Sequence, residues 1–200
     1  EPAPDRRDEI VLASKFGIVS LGQPGVAPEI RNDRAYIESA LDRSLRRLGV
    51  DHIDLYYMHR ADHRVPIEET VGVLAELVAA GKIGHIGLSE VTAETIRRGS
   101  TVHPIAALQS EWSLFSRGLE DDVVPTCREL GVAIVPFSPL GRGILTGTIT
   151  ARSQIGEGDM RTRLPRFQGD AFEANLRSVE VVQQIAGEVG ATPGQVALAW

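Results

Sequence analysis

Short, mainly apolar runs alternate along this chain with longer segments in which apolar residues recur every three or four positions. The runs are Ile10–Ser14, Asp51–His59, Lys82–Ser89, Ile105–Gln109 and Val132–Phe137. They lack a sustained period-two alternation, so each reads as a strand buried on both faces, the pattern of a parallel sheet. Between them, Arg31–Leu48 sets Ile37, Ala40, Leu41, Leu45 and Leu48 at helical spacing, with Gly49 where a C-cap glycine belongs. Pro66–Ala80 reads as a helix stopped at Gly81. Thr92 caps a short helix to Arg98, and Glu120–Leu130 is helical up to Gly131. Gly17 to Pro28 is a Gly/Pro loop, and Ser138 to Gly169 is long, irregular and rich in Gly and Arg. Asn175–Gly190 is an amphipathic helix, and Thr192-Pro193 opens another that is still running at Trp200.

Strand–helix alternation of this kind implies a parallel α/β sheet, either doubly wound and open or closed into a (β/α)₈ TIM barrel. No Gly-x-Gly-x-x-Gly follows the first run, which weighs against the dinucleotide-binding open sheet. The barrel fits better, but a barrel takes eight strands and roughly 250 residues. The expectation is therefore one barrel domain over residues 1–200, incomplete at both ends and internal to a longer chain. As an isolated piece, it would leave strand edges open to aggregation.

Composition narrows the partners. The chain has 200 residues with 21 basic and 27 acidic side chains, a formal net charge of −6. No basic stripe with interleaved aromatics is present, which argues against nucleic acid. No apolar run approaches the roughly 20 residues of a membrane span, and no secretory signal opens the chain. The lone cysteine, Cys127, excludes an intrachain disulfide and reads as a small core residue, so a reducing cytoplasm is expected. No His/Cys/Asp spacing matches a metal site. An oligomer stays open.

Candidate chemistry lies where the strands end, because barrel enzymes build their sites there. Lys15, His59, Ser89-Glu90, Gln109 and Ser138 follow or close the apolar runs. Taken singly, Lys15 also reads as a solvated strand terminus and His59 as a core histidine; together they form a polar ring on one face. Asp54 inside its apolar run needs a partner, most simply a structural ion pair or hydrogen bond. Tyr57 shares a strand face with His59, as a proton donor or, more simply, as a packed ring. Phe137 offers a flat face. Ser138-Pro139-Leu140-Gly141-Arg142-Gly143 combines glycines, exposed amides and a guanidinium, which suits a phosphate.

Five of these segments, in order, resemble the aldo-keto reductase family: Ile10–Gly17, Asp51–Arg60, Gly81–Ser89, Leu108–Leu114 and Phe137–Gly143. The flavour is that of the bacterial branch similar to the voltage-gated potassium-channel β subunits. The resemblance implies a (β/α)₈ barrel, here about its third to seventh strands. It also implies NADP(H) bound in extended form, and reduction of aldehydes or ketones by hydride transfer. It casts Lys15 and His59 as two members of an Asp, Tyr, Lys, His tetrad. Ser89 and Gln109 become contacts of the nicotinamide carboxamide, Phe137 the ring that stacks on nicotinamide, and Ser138, Leu140, Gly141 and Arg142 the pyrophosphate segment. Many members carry Asn where this chain has Glu90, and Tyr where it has Phe137. The tetrad Asp and Tyr belong to a motif upstream of Lys15, before Glu1. A lysine ammonium near a tyrosine would stabilise its phenolate and lower a pKa that is otherwise about 10. Two other readings accompany the reductase: a non-catalytic NADPH-binding regulatory subunit, and an inactive truncated product.

Overall fold

The strands and helices arise where the apolar patterns place them, with corrections at their ends. The computed structural model describes residues 4–20 and 27–200. A 3₁₀ segment at Pro4–Glu9 precedes Ala13–Phe16 (β1) and Ile18–Ser20 (β2), and β2 pairs antiparallel with Glu29–Ile30 (β3). The expected loop from Gly17 to Pro28 therefore contains a strand near its start, and its partner strand begins just after Pro28; residues 21–26 of the loop lie outside the described residues. Arg34–Leu48 (α1) starts three residues later than the periodicity suggests. The Asp33 carboxylate accepts the Tyr36 amide and so fixes the cap after Arg31 and Asn32. Its end is as expected, with Gly49 at φ 68° donating back to the Leu45 carbonyl.

Ile53–Met58 (β4), Ile67–Ala79 (α2), Ile83–Ser89 (β5), Ala93–Ser100 (α3), Ile105–Glu111 (β6), Val123–Leu130 (α4) and Ala133–Phe137 (β7) continue the alternation. The sheet runs β1-β4-β5-β6-β7, with β1–β4, β4–β5 and β5–β6 parallel. This is the expected α/β class, the strand–helix succession of part of a (β/α)₈ barrel. The segment from Ser138 to Gly169 folds as four 3₁₀ turns, and Gly169–Val189 (α5) and Pro193–Ala199 (α6) close the chain. A capping box between Thr192 and Gln195 starts α6.

Two further expectations are corrected. The first strand is not Ile10–Ser14 with Lys15 beyond it. Lys15 is the third of four β1 residues, and Val11 is 76% exposed. The ladder begins where the Leu12 carbonyl accepts the Leu55 amide, so Ile10 and Val11 precede any pairing among the described residues. The last long helix begins at Gly169 rather than Asn175. The added turn buries Phe172 against Phe167, ring centroids 6.3 Å apart.

The chain divides into two compact units, Glu1–Ser110 with Leu119–Val135, and Glu111–Gly118 with Pro136–Trp200. In the first, Tyr56, Met58, Ile86, Leu88 and Leu108 on one sheet face pack with Ile37, Leu41, Leu74, Ile96 and Cys127 from the helices. Each such aliphatic side chain contributes about 1.5–3 kcal/mol by leaving water. In the second, Ile144, Leu145, Phe167, Phe172, Val179 and Val182 form a separate core.

Candidate active site

Parallel register aligns the strand-end residues of the first unit. Lys15 pairs with Tyr57, Tyr57 with Gly87, and Gly87 with Ala107, making one row across four strands. The next row on the same face, two residues on, holds Ser89 and Gln109, and His59 directly follows the end of β4. Met58 pairs with Leu88 just below it, and Ser89 pairs with Gln109. Even-numbered neighbours such as Met58 and Leu88 face the helices. The structure thus brings Lys15, His59, Ser89 and Gln109 to one face at the C-terminal ends of adjacent strands.

The row beneath is held by a glycine. A Cβ on Gly87 would run into the Tyr57 ring, so only glycine lets that ring lie across β5. The Lys15 ammonium sits 5.9 Å from the centre of the same ring. Tyr57 offers Lys15 its face, and burial pushes its phenol pKa above the ordinary value. The packed-ring reading of Tyr57 describes its surroundings. His59 is half-buried, and its amide donates to the Phe16 carbonyl at 2.8 Å. Burial first, then the Arg60 and Lys15 charges, hold its imidazole below the usual histidine value, which favours the neutral form. Lys15 and His59 both line a cleft of about 200 Å³ that α1 borders with Tyr36, Arg43 and Arg47.

Ser89 is 1% exposed, and its hydroxyl accepts one hydrogen bond, from Arg60 Nη1 at 3.3 Å. The hydroxyl proton has no acceptor among the described residues. A buried donor without a partner is costly unless a ligand takes it. This unclaimed hydroxyl proton and the neighbouring Gln109 amide form a donor–acceptor set that fits a carboxamide. Arg60 was not singled out from the sequence; its one signal is that it directly follows His59. Glu90 turns the chain at φ 55°, its amide held by the Gln109 carbonyl at 3.1 Å.

Residues outside the ring find structural partners. Asp54 accepts from Arg7 Nη2 and from the Leu12 amide, each at 2.7 Å. Burial pushes its carboxyl up, but the Leu12 amide, Arg7 and His52 outweigh that and bring it below the ordinary value. His52 and His103 contact backbone carbonyls at 2.8 and 2.9 Å. Cys127 is buried in the core, where desolvation raises its thiol pKa. Among the described residues, no group of three or more His, Cys, Asp or Glu side chains could hold a metal ion.

In the second unit the candidate residues lie on one turn. Phe137 ends β7, and its carbonyl accepts the Trp112 amide at 3.4 Å. Ser138 follows at φ 52°, and Gly141, Arg142 and Gly143 are successively left-handed at φ 57°, 60° and 96°. A Cβ on Gly141 would lie 3.0 Å from the Phe115 ring, so that glycine meets both a conformational and a steric demand. Leu140 packs into the second core, its carbonyl accepting the Gly143 and Leu145 amides. Arg142 is half-buried, and its carbonyl accepts from Arg161 at 3.4 Å. Successive left-handed residues and a guanidinium are groups that fit a phosphate anion.

Comparison with known proteins gives a consistent picture. Residues 1–200 match the sequence model of the aldo/keto reductase family. The chain is 46% identical over 194 residues to the probable aldo-keto reductase 1 of Glycine max, covering 97% of this chain and 55% of that protein. The glycerol dehydrogenase AKR11B4 from Gluconobacter oxydans superposes with a TM-score of 0.88 at 28% identity, over 98% of this chain and 61% of that one. The chain thus spans about half the length of the curated relative it matches.

Proposed function

This chain belongs to the aldo/keto reductase family, and from that premise we propose that it carries the lysine–histidine part of an NADPH-dependent oxidoreductase that reduces aldehydes or ketones to alcohols. The observation that carries the reading is the sheet register. It pairs Lys15 with Tyr57 and, further along, Ser89 with Gln109, and His59 directly follows Met58, the last paired residue of β4.

The nicotinamide, when bound, supplies the hydride. Reduction leaves negative charge on the carbonyl oxygen, and the protein must stabilise and protonate it. His59, neutral because it is buried beside two cations, donates a hydrogen bond to that oxygen without bringing a full charge. Lys15 would lower the pKa of a phenol whose oxygen is brought beside its ammonium, the part the resemblance gives to the tetrad tyrosine, making it an effective proton donor near neutral pH. Ser89 and Gln109 would hold the carboxamide of the cofactor. In the second unit, Phe137 would offer a stacking face, and Ser138, Leu140, Gly141 and Arg142 would hold a pyrophosphate.

The test is NADPH consumption by the full-length protein against a panel of small aldehydes and ketones, beside a Lys15→Met control. Turnover in the unaltered protein that the control lacks supports the reading. Equal rates in both, or none above background across the panel, overturn it.

A further inference from the structure

We infer that Arg60 is a positioning residue that sets both the placement of His59 and the direction of the Ser89 hydroxyl. One guanidinium nitrogen, Nη1, donates to the His59 carbonyl at 2.7 Å and to Ser89 Oγ at 3.3 Å. It therefore ties the end of β4 to the end of β5 beside the two side chains that the proposed reaction needs. The inference rests on the proposed role of Ser89 as a carboxamide contact.

The backbone under Arg60 is pinned from two sides. Gly17, at φ 116°, lies so close that a Cβ there would stand 3.3 Å from the Arg60 carbonyl oxygen and 3.2 Å from Asn32 Nδ2. Asn32 is 1% exposed, and its side-chain oxygen accepts the Asp62 amide. Residues 59–62 thus have little freedom, and the guanidinium is delivered to β5 by a fixed main chain. Its bridge suits arginine, whose planar fork presents several donors in fixed directions.

Direction follows from valence. A hydroxyl has one proton and two lone pairs. Arg60 is donor only, so Ser89 Oγ accepts there and its own proton points elsewhere. With Ser89 buried, water does not compete for the bond. Ser89 is left as a donor and selects an acceptor in its ligand: the carboxamide oxygen rather than the carboxamide NH₂. The same cation adds to the Lys15 charge in holding His59 neutral.

The test compares binding of NADPH with binding of its thionicotinamide analogue, whose sulfur is a weak acceptor, by calorimetry on the full-length protein. The unaltered protein should prefer NADPH by about three- to tenfold, the worth of one hydrogen bond. Ser89→Ala should abolish the preference, Arg60→Met should abolish most of it, and Arg60→Lys should restore part. If Ser89→Ala keeps the preference, or the unaltered protein shows none, the reading of Ser89 fails and this inference with it. If Ser89→Ala loses the preference but Arg60→Met keeps all of it, the role of Arg60 alone is overturned. Should Arg60→Met fail to fold, Arg60→Gln decides by the same comparison. A second readout is the His59 titration by NMR in Arg60→Gln. Lys15 on β1, and Tyr36, Arg43 and Arg47 on α1, stay unchanged around it. An upward shift of the His59 midpoint supports the inference, and an unmoved midpoint counts against it.

Discussion

The two units position chemistry by different means. In the first, four candidate side chains stand on three adjoining parallel pairs, and register alone decides that they share a face. In the second, the candidates lie on a turn where Ser138, Gly141, Arg142 and Gly143 all take positive φ. A strand tolerates many side chains at a given place, because the hydrogen-bonded ladder holds its backbone. A left-handed turn tolerates few, because a Cβ disfavours the backbone conformation itself. The first unit can therefore change its chemistry by substitution, whereas the second is constrained in its main chain.

The largest test of this contrast is Lys15→Met in the full-length protein. The fold should remain, since Lys15 is an exposed side chain on a regular strand, while kcat falls by about 10²–10⁴-fold. Unfolding of this variant, seen by circular dichroism, would break the claim that register rather than the side chain holds the position. Next is Gly87→Val, which drives a side chain into the Tyr57 ring and should cost at least about 1–3 kcal/mol in urea unfolding. Gly141→Ala should cost about 1–2 kcal/mol from the left-handed backbone, plus the clash with Phe115. If the alanine is neutral, the turn is not constrained as described.

A smaller effect comes from His59. Its folded pKa lies below the unfolded value, so as pH falls through the unfolded value the unfolded chain binds the proton first. Its contribution to stability is complete above the unfolded pKa and declines on acidification below it. His59→Gln should flatten the dependence of the urea midpoint on pH in that window; an unchanged slope refutes the assignment. The smallest effect is expected from Tyr57→Phe. The hydroxyl makes no hydrogen bond among the described residues, so stability should move by less than about 0.5 kcal/mol and activity should persist. A large loss of kcat would make Tyr57 a proton donor rather than a packed ring.

Much of this was legible in the chain. Gly49, Gly131 and Thr192-Pro193 mark helix ends that the structure reproduces, because caps depend on local backbone demands. The start of α5 was not legible: the irregular segment reads on to Gly169 and the helix from Asn175, and burial of Phe172 against Phe167 overrides that local preference. Lys15 was legible as a lone cation beside an apolar run, but its seat inside β1 depends on pairing with Tyr57. Arg60 gave little sign of itself, since its significance lies in a bond to Ser89, 29 residues away.

Local sequence by itself determined the order of strands and helices, the parallel class of the sheet and the polar identity of the strand ends. These follow from periodicity, from capping residues and from the chemistry of single side chains. Tertiary structure alone decided which of those residues share a face, that Gly87 makes room for Tyr57, that Asp54 is spent on Arg7 and Leu12, and that Arg60 reaches Ser89. Each of these is a contact between segments far apart in the chain, set by strand register and close packing, which no local pattern of residues encodes.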